Sequence, residues 1–413
     1  MAVVKPFRAF RPKPGTEAAV AALPYDVYNR AEAVEVVREN PDSFLAIDRA
    51  ETQFDAGTDM YDPKVYEKAA QMLQSRIREG GFVREERDSY YLYELTMDGR
   101  TQTGIVGCAS VEDYESGTIR KHENTRADKE EDRIRHVDTT NMQTGPIFLA
   151  YRQNDALKGL IAAGKKKAPL CDFTADDGIR HRVWILSDPE VVKKIGEAFA
   201  AVPRLYIADG HHRCASAVRV SRMRRDANPE HTGQEQYNFF LSVIFPDEDL
   251  KILDYNRVVK DLAGLSEEEF LSKVSEKFRV SPAPVSPYQP TEKGTFGMYL
   301  AGTWYRLEAK PEIRSTDEVE GLDVSILQRE LLGPVLGIED PKTDKRIDFV
   351  GGIRGLHELE RRVGMDCRVA FSMYPTSISE LFAVADKGRL MPPKSTWFEP
   401  KLRSGLFLHS LSE

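Results

Sequence analysis

The sequence predicts a mixed α+β protein, on three observations. Short apolar runs of strand character alternate with helical periodicity through the middle of the chain, an aromatic-rich hairpin precedes that run, and a further set of strands and helices follows it. With 413 residues, 41% of them hydrophobic and 30% charged, the chain is long enough for two or three domains, each burying its own core. Neither a fibrous nor a disordered class fits this composition.

From Pro6 to about Ile47, turn signals (FRAFRPKPG, LPYDVYN) alternate with helix-like stretches. RAEAVEVVRENP carries apolar residues at Ala33, Val34, Val36 and Val37 and stops at Asn40-Pro41. A second helix is expected over 63–79, because Val65, Tyr66, Ala69, Met72, Leu73 and Ile77 recur three and four apart, the spacing of core contacts. SYYLYELTMDGRTQTGIVGCASVEDY reads as a hairpin turning at Met-Asp-Gly-Arg, its second strand over 102–109. The charge-dense TIRKHENTRADKEEDRIRH comes next, then the strand PIFLAY (146–151), a helix, the strand HRVWIL (181–186), a helix over 189–199 and the run LYIADGHHR.

After Arg225, the polar loop RRDANPEHTGQEQ leads to two strands, FFLSVIFP and LKILDYNRVV, and a helix over 266–278. The proline-rich 281–294 is the best linker or long-loop candidate. FGMYLAGTWYRLEA predicts a hairpin around Ala301-Gly302, and LDVSILQRELLGPVLGI a helix broken at Gly333-Pro334. RIDFVGGIRGLHELERRV repeats strand, glycine turn, arginine and helix; VAFSMYP is a last strand before a helix over 378–387 and the tail LMPPKSTWFEPKLRSGLFLH. Neither a tandem repeat nor a low-complexity tract is present.

Several function classes are excluded early. The net charge of −8 does not give the field of a general nucleic-acid binder, although small anionic ligands stay open because local charge can oppose the total. Cys108, Cys171, Cys214 and Cys367 stand far apart without a C-x-x-C pair, against a disulfide framework and a four-cysteine zinc site. MAVVKPFRAFRPKPG lacks an apolar signal core and no segment approaches the roughly 20 apolar residues of a membrane helix, so a cytoplasmic protein is expected.

The chemistry concentrates at LYIADGHHRCASAV. An apolar strand, a glycine turn and a helix follow in order, so His211, His212 and Arg213 stand on a helix's first turn, where unpaired N–H groups and the helix dipole favour an anion. Gly210 permits the turn. Together these donors make a phosphate seat, against the plainer reading of histidines that bond locally. Asp209 has three readings open: N-cap, ligand for a divalent metal, or base.

Lys121-His122-Glu123-Asn124-Thr125-Arg126, continuing through Lys129 and Arg133, is either a solvated helix of charge pairs or a place where a carboxylate acts as base beside cations that hold phosphate oxygens. It matches no H-E-x-x-H or related zinc pattern. Lys394-Ser395-Thr396 follows Met391-Pro392-Pro393 and not a Gly-rich loop, so it fails the phosphate-loop pattern; a surface loop and an anion contact both remain open. Gly351-Gly352-Ile353-Arg354 admits either close approach to an anion or tight strand-to-helix packing. Pro24-Tyr25-Asp26 is a turn without decisive chemistry of its own. G-x-S-x-G, G-x-G-x-x-G and kinase signatures are missing.

PFRAFRP, LPYDV, NPDSFLAID, KHENTR, TGPIFLAY, LYIADGHHR, LDVSILQ, RIDFVGG and MPPKSTWFEPKLRSGL, spread over essentially the whole chain, resemble the domain-of-unknown-function family DUF1015, which carries the label SpoOJ/ParB-like. Asp-Gly-His-His-Arg also resembles the phosphate-binding box of the ParB and sulfiredoxin superfamily, most of all its free-serine kinase branch. This resemblance implies a ParB/sulfiredoxin-like α/β core over 116–280, flanked by an N-terminal α+β region (1–115) and a C-terminal α+β region (295–413) contributing to the site. It implies that Asp209, Gly210, His211, His212 and Arg213 bind phosphate and that Glu123, beside His122, is a base on a serine hydroxyl. Sulfiredoxin chemistry departs from the pattern, since His211 stands where that family's cysteine belongs and Cys214 follows the arginine.

The expected activity is phosphoryl transfer to a small hydroxy amino acid, foremost L-serine giving O-phospho-L-serine. ATP, ADP or pyrophosphate would be the donor, Mg²⁺ the expected cofactor, and Arg126, Arg354, Lys394, Ser395 and Thr396 secondary phosphate contacts; Asp209 and His122 are counted with Glu123 among the catalytic residues. The expected partners are small molecules, neither membrane nor nucleic acid, and the oligomeric state is not legible. A ParB-like nucleotide- or DNA-binding regulator and a phosphoserine phosphatase are the alternatives.

Overall fold

The computed structural model describes residues 1–125 and 127–412. It is a mixed α+β architecture that divides into two compact units. The first comprises Met1–Lys121, Thr125–Leu250 and the chain from Pro400 onward; the second comprises His122–Asn124 and Lys251–Glu399. These boundaries differ from the three consecutive regions expected from the sequence. Sheet pairing, not position along the chain, sets the partition.

The first unit is built on a nine-stranded mixed sheet: β1 (Val4–Lys5), β2 (Tyr90–Met97), β3 (Arg100–Ser110), β4 (Ile119–Arg120), β5 (Ile147–Tyr151), β6 (Cys171–Thr174), β7 (Arg180–Leu186), β8 (Leu205–Asp209) and β9 (Phe239–Pro246). Its order is β4-β8-β5-β9-β3-β2-β7-β6, with β1 against β3. The β4–β8 and β5–β9 pairs are parallel and the other pairs antiparallel. The expected hairpin is β2–β3. Asp98 and Gly99 at its turn have φ of 51° and 77°, the pair of positive values a two-residue hairpin needs.

The longer helices of this unit are α1 (Arg30–Glu39), α2 (Pro63–Arg78), α3 (Ala127–Thr140), α4 (Asp155–Gly164), α5 (Pro189–Ala200) and α6 (His211–Ala227). Leu157 and Ile161 of α4, Ile195 and Phe199 of α5, and Cys214, Ala217 and Val218 of α6 share one core with Leu92, Ile105, Leu149, Leu205 and Ile244 of the sheet. A second core joins α1 and α2 to Leu408 of the C-terminal tail. The periodicity of α2 is borne out at Val65, Tyr66, Ala69 and Leu73, which are buried, with Met72 and Ile77 packed at the margin. In α1, Asn29 and Glu32 form a capping box; Ala33 and Val37 face the core and Val34 faces solvent.

The second unit has a six-stranded antiparallel sheet of β10 (Tyr255–Val259), β11 (Phe278–Pro282), β12 (Thr295–Leu300), β13 (Thr303–Ala309), β14 (Ile347–Gly351) and β15 (Val369–Met373), in the order β11-β13-β12-β15-β10-β14. The hairpin at Ala301-Gly302 is present as expected. The helix predicted from Asp323 runs to Leu327 and continues as a π-turn, Gln328–Leu332, before Gly333. The proline-rich 281–294 is a loop inside this unit: Tyr288 is buried in its core and its carbonyl accepts a bond from Ser372. A linker would have left that ring in water. Among the described residues, no helix is long and apolar enough to cross a membrane.

Candidate functional site

β8 is buried from Leu205 to Ala208, so its direction is fixed by core packing and Asp209 is carried to the sheet's edge. Gly210 then turns the chain into α6 with φ 87° and ψ 32°. An L-residue in this left-handed conformation costs about 1–2 kcal/mol, which glycine avoids. Gly210 is itself the N-cap and offers no capping side chain, so the first turn of α6 presents the positive end of a 17-residue helix. The parallel partner strand β4 ends on the same edge, and Lys121 follows it there.

Asp209 is an anchor. Its Oδ1 accepts a bond from the Gly210 amide at 2.8 Å and its Oδ2 from Lys401 Nζ at 3.0 Å. Burial would raise this carboxyl, but the Lys401 ammonium, the Arg213 guanidinium and the two bonds outweigh it and hold the group well below the usual carboxylate range. Of the three readings left open, capping goes to Gly210 and not to Asp209. With an ammonium on one oxygen and an amide on the other, this carboxylate is held ionised and in one orientation. Lys401 went unassigned in the sequence, although it stands within the matched string MPPKSTWFEPKLRSGL.

Arg213 Nη1 donates to the Pro146 carbonyl at 2.8 Å. The side chain runs between two glycines: a Cβ on Gly210 would lie 3.2 Å from Arg213 Nε, and one on Gly145 3.1 Å from Arg213 Nη1. The guanidinium is thus held in one place with one of its five donors committed to Pro146. His211 is buried at 7% exposure and His212 half-buried. The Cys214 thiol is buried and pushed up by that burial, which suits a core residue and not a nucleophile.

Behind Arg213 lies a small cavity of about 30 Å³ lined by Tyr25, Asp48, Arg133, His136, Thr144 and Arg213, room for about one water. Thr144 Oγ1 donates to Asp48 Oδ1 at 2.8 Å, Arg133 Nη2 pairs with Asp132 Oδ2 at 2.8 Å, and the Arg133 guanidinium stacks 4.0 Å over the Tyr25 ring. Burial and the neighbouring Arg133 lower the His136 imidazole below its usual value, so it stays neutral. The solvated-helix reading of this charged segment is therefore corrected for α3: Asp132, Arg133 and His136 face the interior. Their signal in the sequence was a run of mixed charge, which reads the same whether solvated or buried.

In the second unit, His122 is 1% exposed; its carbonyl accepts from the Met391 amide at 2.8 Å and its Nε2 lies 3.4 Å from Thr396 Oγ1. Two expected site segments, 122–124 and 394–396, therefore meet. Glu123 is half-buried and Lys394 exposed. Lys394 has φ 58°, Ser395 Oγ donates to Pro392 O at 2.6 Å, and Thr376 Oγ1 donates to Ser395 O at 3.0 Å, so the loop holds a defined shape. Arg257 of β10, not singled out in the sequence, donates from Nη2 to the Lys394 carbonyl at 3.0 Å.

Arg354 is exposed on the turn Gly352–Arg354. A Cβ on Gly351 would meet the Trp397 ring at 2.7 Å and one on Gly352 the Asp254 carboxylate at 2.3 Å, so packing explains both glycines. Arg126 lies outside the described residues.

Solved structures resembling the chain include a free serine kinase in complex with AMP, at 14% identity and TM-score 0.37, covering 73% of this chain and 90% of that one. Another is SbnI with a C-terminal truncation from Staphylococcus aureus, at 11% identity and TM-score 0.38, covering 72% and 85%. A conserved hypothetical protein from Pyrococcus furiosus follows at 14% and 0.34, covering 71% and 91%. At identities and scores this low, what those proteins bind is theirs alone. No curated protein matches the chain. The model of the family described as protein of unknown function, DUF1015, matches residues 4–325, most of the chain, and the protein belongs to that family.

Proposed function

We propose that the protein is a phosphotransferase acting on a small hydroxy amino acid, with L-serine as acceptor and O-phospho-L-serine as product. The observation that carries this reading is the Asp209–Arg213 turn: a left-handed glycine opens a long helix without a side-chain cap, beside a guanidinium held in place by Pro146. Phosphoryl transfer asks little covalent chemistry of a protein. Oriented donors that stabilise charge on the transferred group, and a carboxylate that takes the hydroxyl proton, are the main requirements.

In this reading the first-turn amides of α6, His211, His212 and Arg213 hold the phosphoryl oxygens, and Asp209 with Lys401 fixes the turn that presents them. Glu123, beside His122, is the base assigned to the serine hydroxyl. Lys394, Ser395, Thr396, Arg354 and Arg126 are secondary anion contacts. No step is assigned to Mg²⁺, and the assay reads whether the activity depends on it.

The test is direct. Purified protein is incubated with L-serine and, in separate arms, ATP, ADP or pyrophosphate, each with and without Mg²⁺, and phosphoserine is followed by ³¹P NMR. Product in one donor arm, lost in Arg213→Ala and in Glu123→Gln with folding unchanged by circular dichroism, is the expected result. Undiminished turnover in Arg213→Ala removes the seat; no phosphoserine in any arm removes the activity.

A further inference from the structure

Arg257 is 3% exposed and carries its charge into the second unit without a carboxylate against it, among the described residues. Its Nη1 donates to the Tyr255 carbonyl, its Nη2 to the Lys394 carbonyl at 3.0 Å, and its plane lies 5.4 Å over the Phe349 ring. Asp254 and Asp261, the nearest acids in sequence, and Glu399, five residues after Lys394, have partners elsewhere: Asp254 Oδ2 accepts from Asn256 at 2.5 Å, Asp261 Oδ1 lies 3.5 Å from Arg346 Nη1, and Glu399 Oε1 accepts from the Trp397 indole at 2.9 Å. Burying an ion without a counter-ion costs several kcal/mol, whereas two backbone carbonyls can be satisfied by a neutral amide at far lower cost. Holding the loop thus accounts for the donors of Arg257 but not for its charge.

The charge sits under a loop that is already cationic. Lys394, whose carbonyl Arg257 binds, is exposed and has its ammonium 5.6 Å from the centre of the Tyr255 ring. Thr396 adds a hydroxyl, and the bonds of Ser395 and Thr376 keep the loop in one shape. We propose that Lys394–Thr396 is an anion seat for a phosphoryl or pyrophosphoryl group, with Arg257 as its buried counter-charge. A guanidinium in this position neutralises the anion from below while Lys394 does so from solvent. The inference rests on the reading of the protein as one that handles phosphate esters, and it adds a residue and a ligand class to it.

The full-length protein is titrated with inorganic pyrophosphate by calorimetry and by thermal unfolding. Arg257→Gln should weaken binding at least tenfold while leaving stability without pyrophosphate unchanged or raised, since the uncompensated charge is gone. Arg257→Lys should keep most of the binding. Pyrophosphate binding by Arg257→Gln within twofold of wild type overturns the proposal.

If that variant does not fold, the wild-type protein decides: pyrophosphate should slow acetylation of Lys394 at least threefold, read by mass spectrometry against exposed Lys193, and an unprotected Lys394 overturns the proposal. The two readings fail separately. Arg213-dependent phosphoserine formation with Arg257-independent pyrophosphate binding removes only this inference, and Arg257-dependent binding with no phosphoserine in any arm removes only the phosphotransferase.

Discussion

Gly210→Ala is the most informative single change in the first unit. Two costs are readable. The residue sits at φ 87°, where an L-side chain costs about 1–2 kcal/mol. The added Cβ would also stand 3.2 Å from Nε, 3.4 Å from Nη2 and 3.5 Å from Cζ of Arg213, so the guanidinium must shift by a few tenths of an ångström. If the shift keeps the Arg213–Pro146 bond, only the backbone term applies. If it breaks that bond, a charged donor is lost as well, about 1.5–3 kcal/mol more.

The expected loss is therefore between about 1 and 5 kcal/mol, concentrated at the start of α6. Hydrogen-exchange mass spectrometry on peptides spanning residues 205–227 reads it locally. Exchange should be at least about 5-fold faster, since 1 kcal/mol corresponds to that ratio, with peptides of α7 (Glu267–Lys277) unchanged. Gly210→Asn, which tolerates the left-handed region better, should fall between alanine and wild type. Exchange in Gly210→Ala indistinguishable from wild type would show that the turn is not held as described, and the proposed phosphate seat would lose its geometric basis.

Lys401→Met should destabilise by about 1–2 kcal/mol at pH 7, the cost of breaking a buried pair reduced for the partial exposure of Asp209. Because the Asp209 carboxyl is depressed in the folded protein, that stabilisation is complete above the unfolded value near about 4 and is lost as pH falls below it. Urea midpoints at pH 7 and 3.5 should show the gap between variant and wild type closing on acidification; a constant gap contradicts the pairing. Asp323, buried and raised to about 7, has the opposite sign: its folded form binds the proton more tightly, so stability declines as pH rises from about 4 to about 7. Asp323→Asn should flatten that decline in a pH series of unfolding midpoints. Leu73→Ala, at a fully buried site, should cost about 2–5 kcal/mol, whereas Val34→Ala, on the solvent face of α1, should stay within about 0.5 kcal/mol.

Much of the fold was legible because its signals are local. Alternation in SYYLYELTM, Asp-Gly at its turn, the three- and four-residue spacing of α2 and the strand–glycine–helix run at 205–218 each act within about one turn of chain, so sequence order alone reveals them. Val34 marks where this runs out. Its spacing suits the apolar stripe as well as that of its neighbours, and the tertiary contacts of α1 decide that Ala33 and Val37 turn inward instead. The candidate seat was legible in the same way, as a concentration of donors after Asp-Gly.

Composition and periodicity by themselves determined the α+β class, most of the elements and the place of the Asp209–Arg213 turn. Only the tertiary structure decided that Asp209 is neutralised by a lysine 192 residues away, that Asp132, Arg133 and His136 face inward, and that Arg257 lies under the Lys394 loop with no acid beside it among the described residues. The reason is physical. A backbone conformation is set by a few neighbouring residues, while the charge state and reach of a buried side chain are set by whatever the sheet order brings against it.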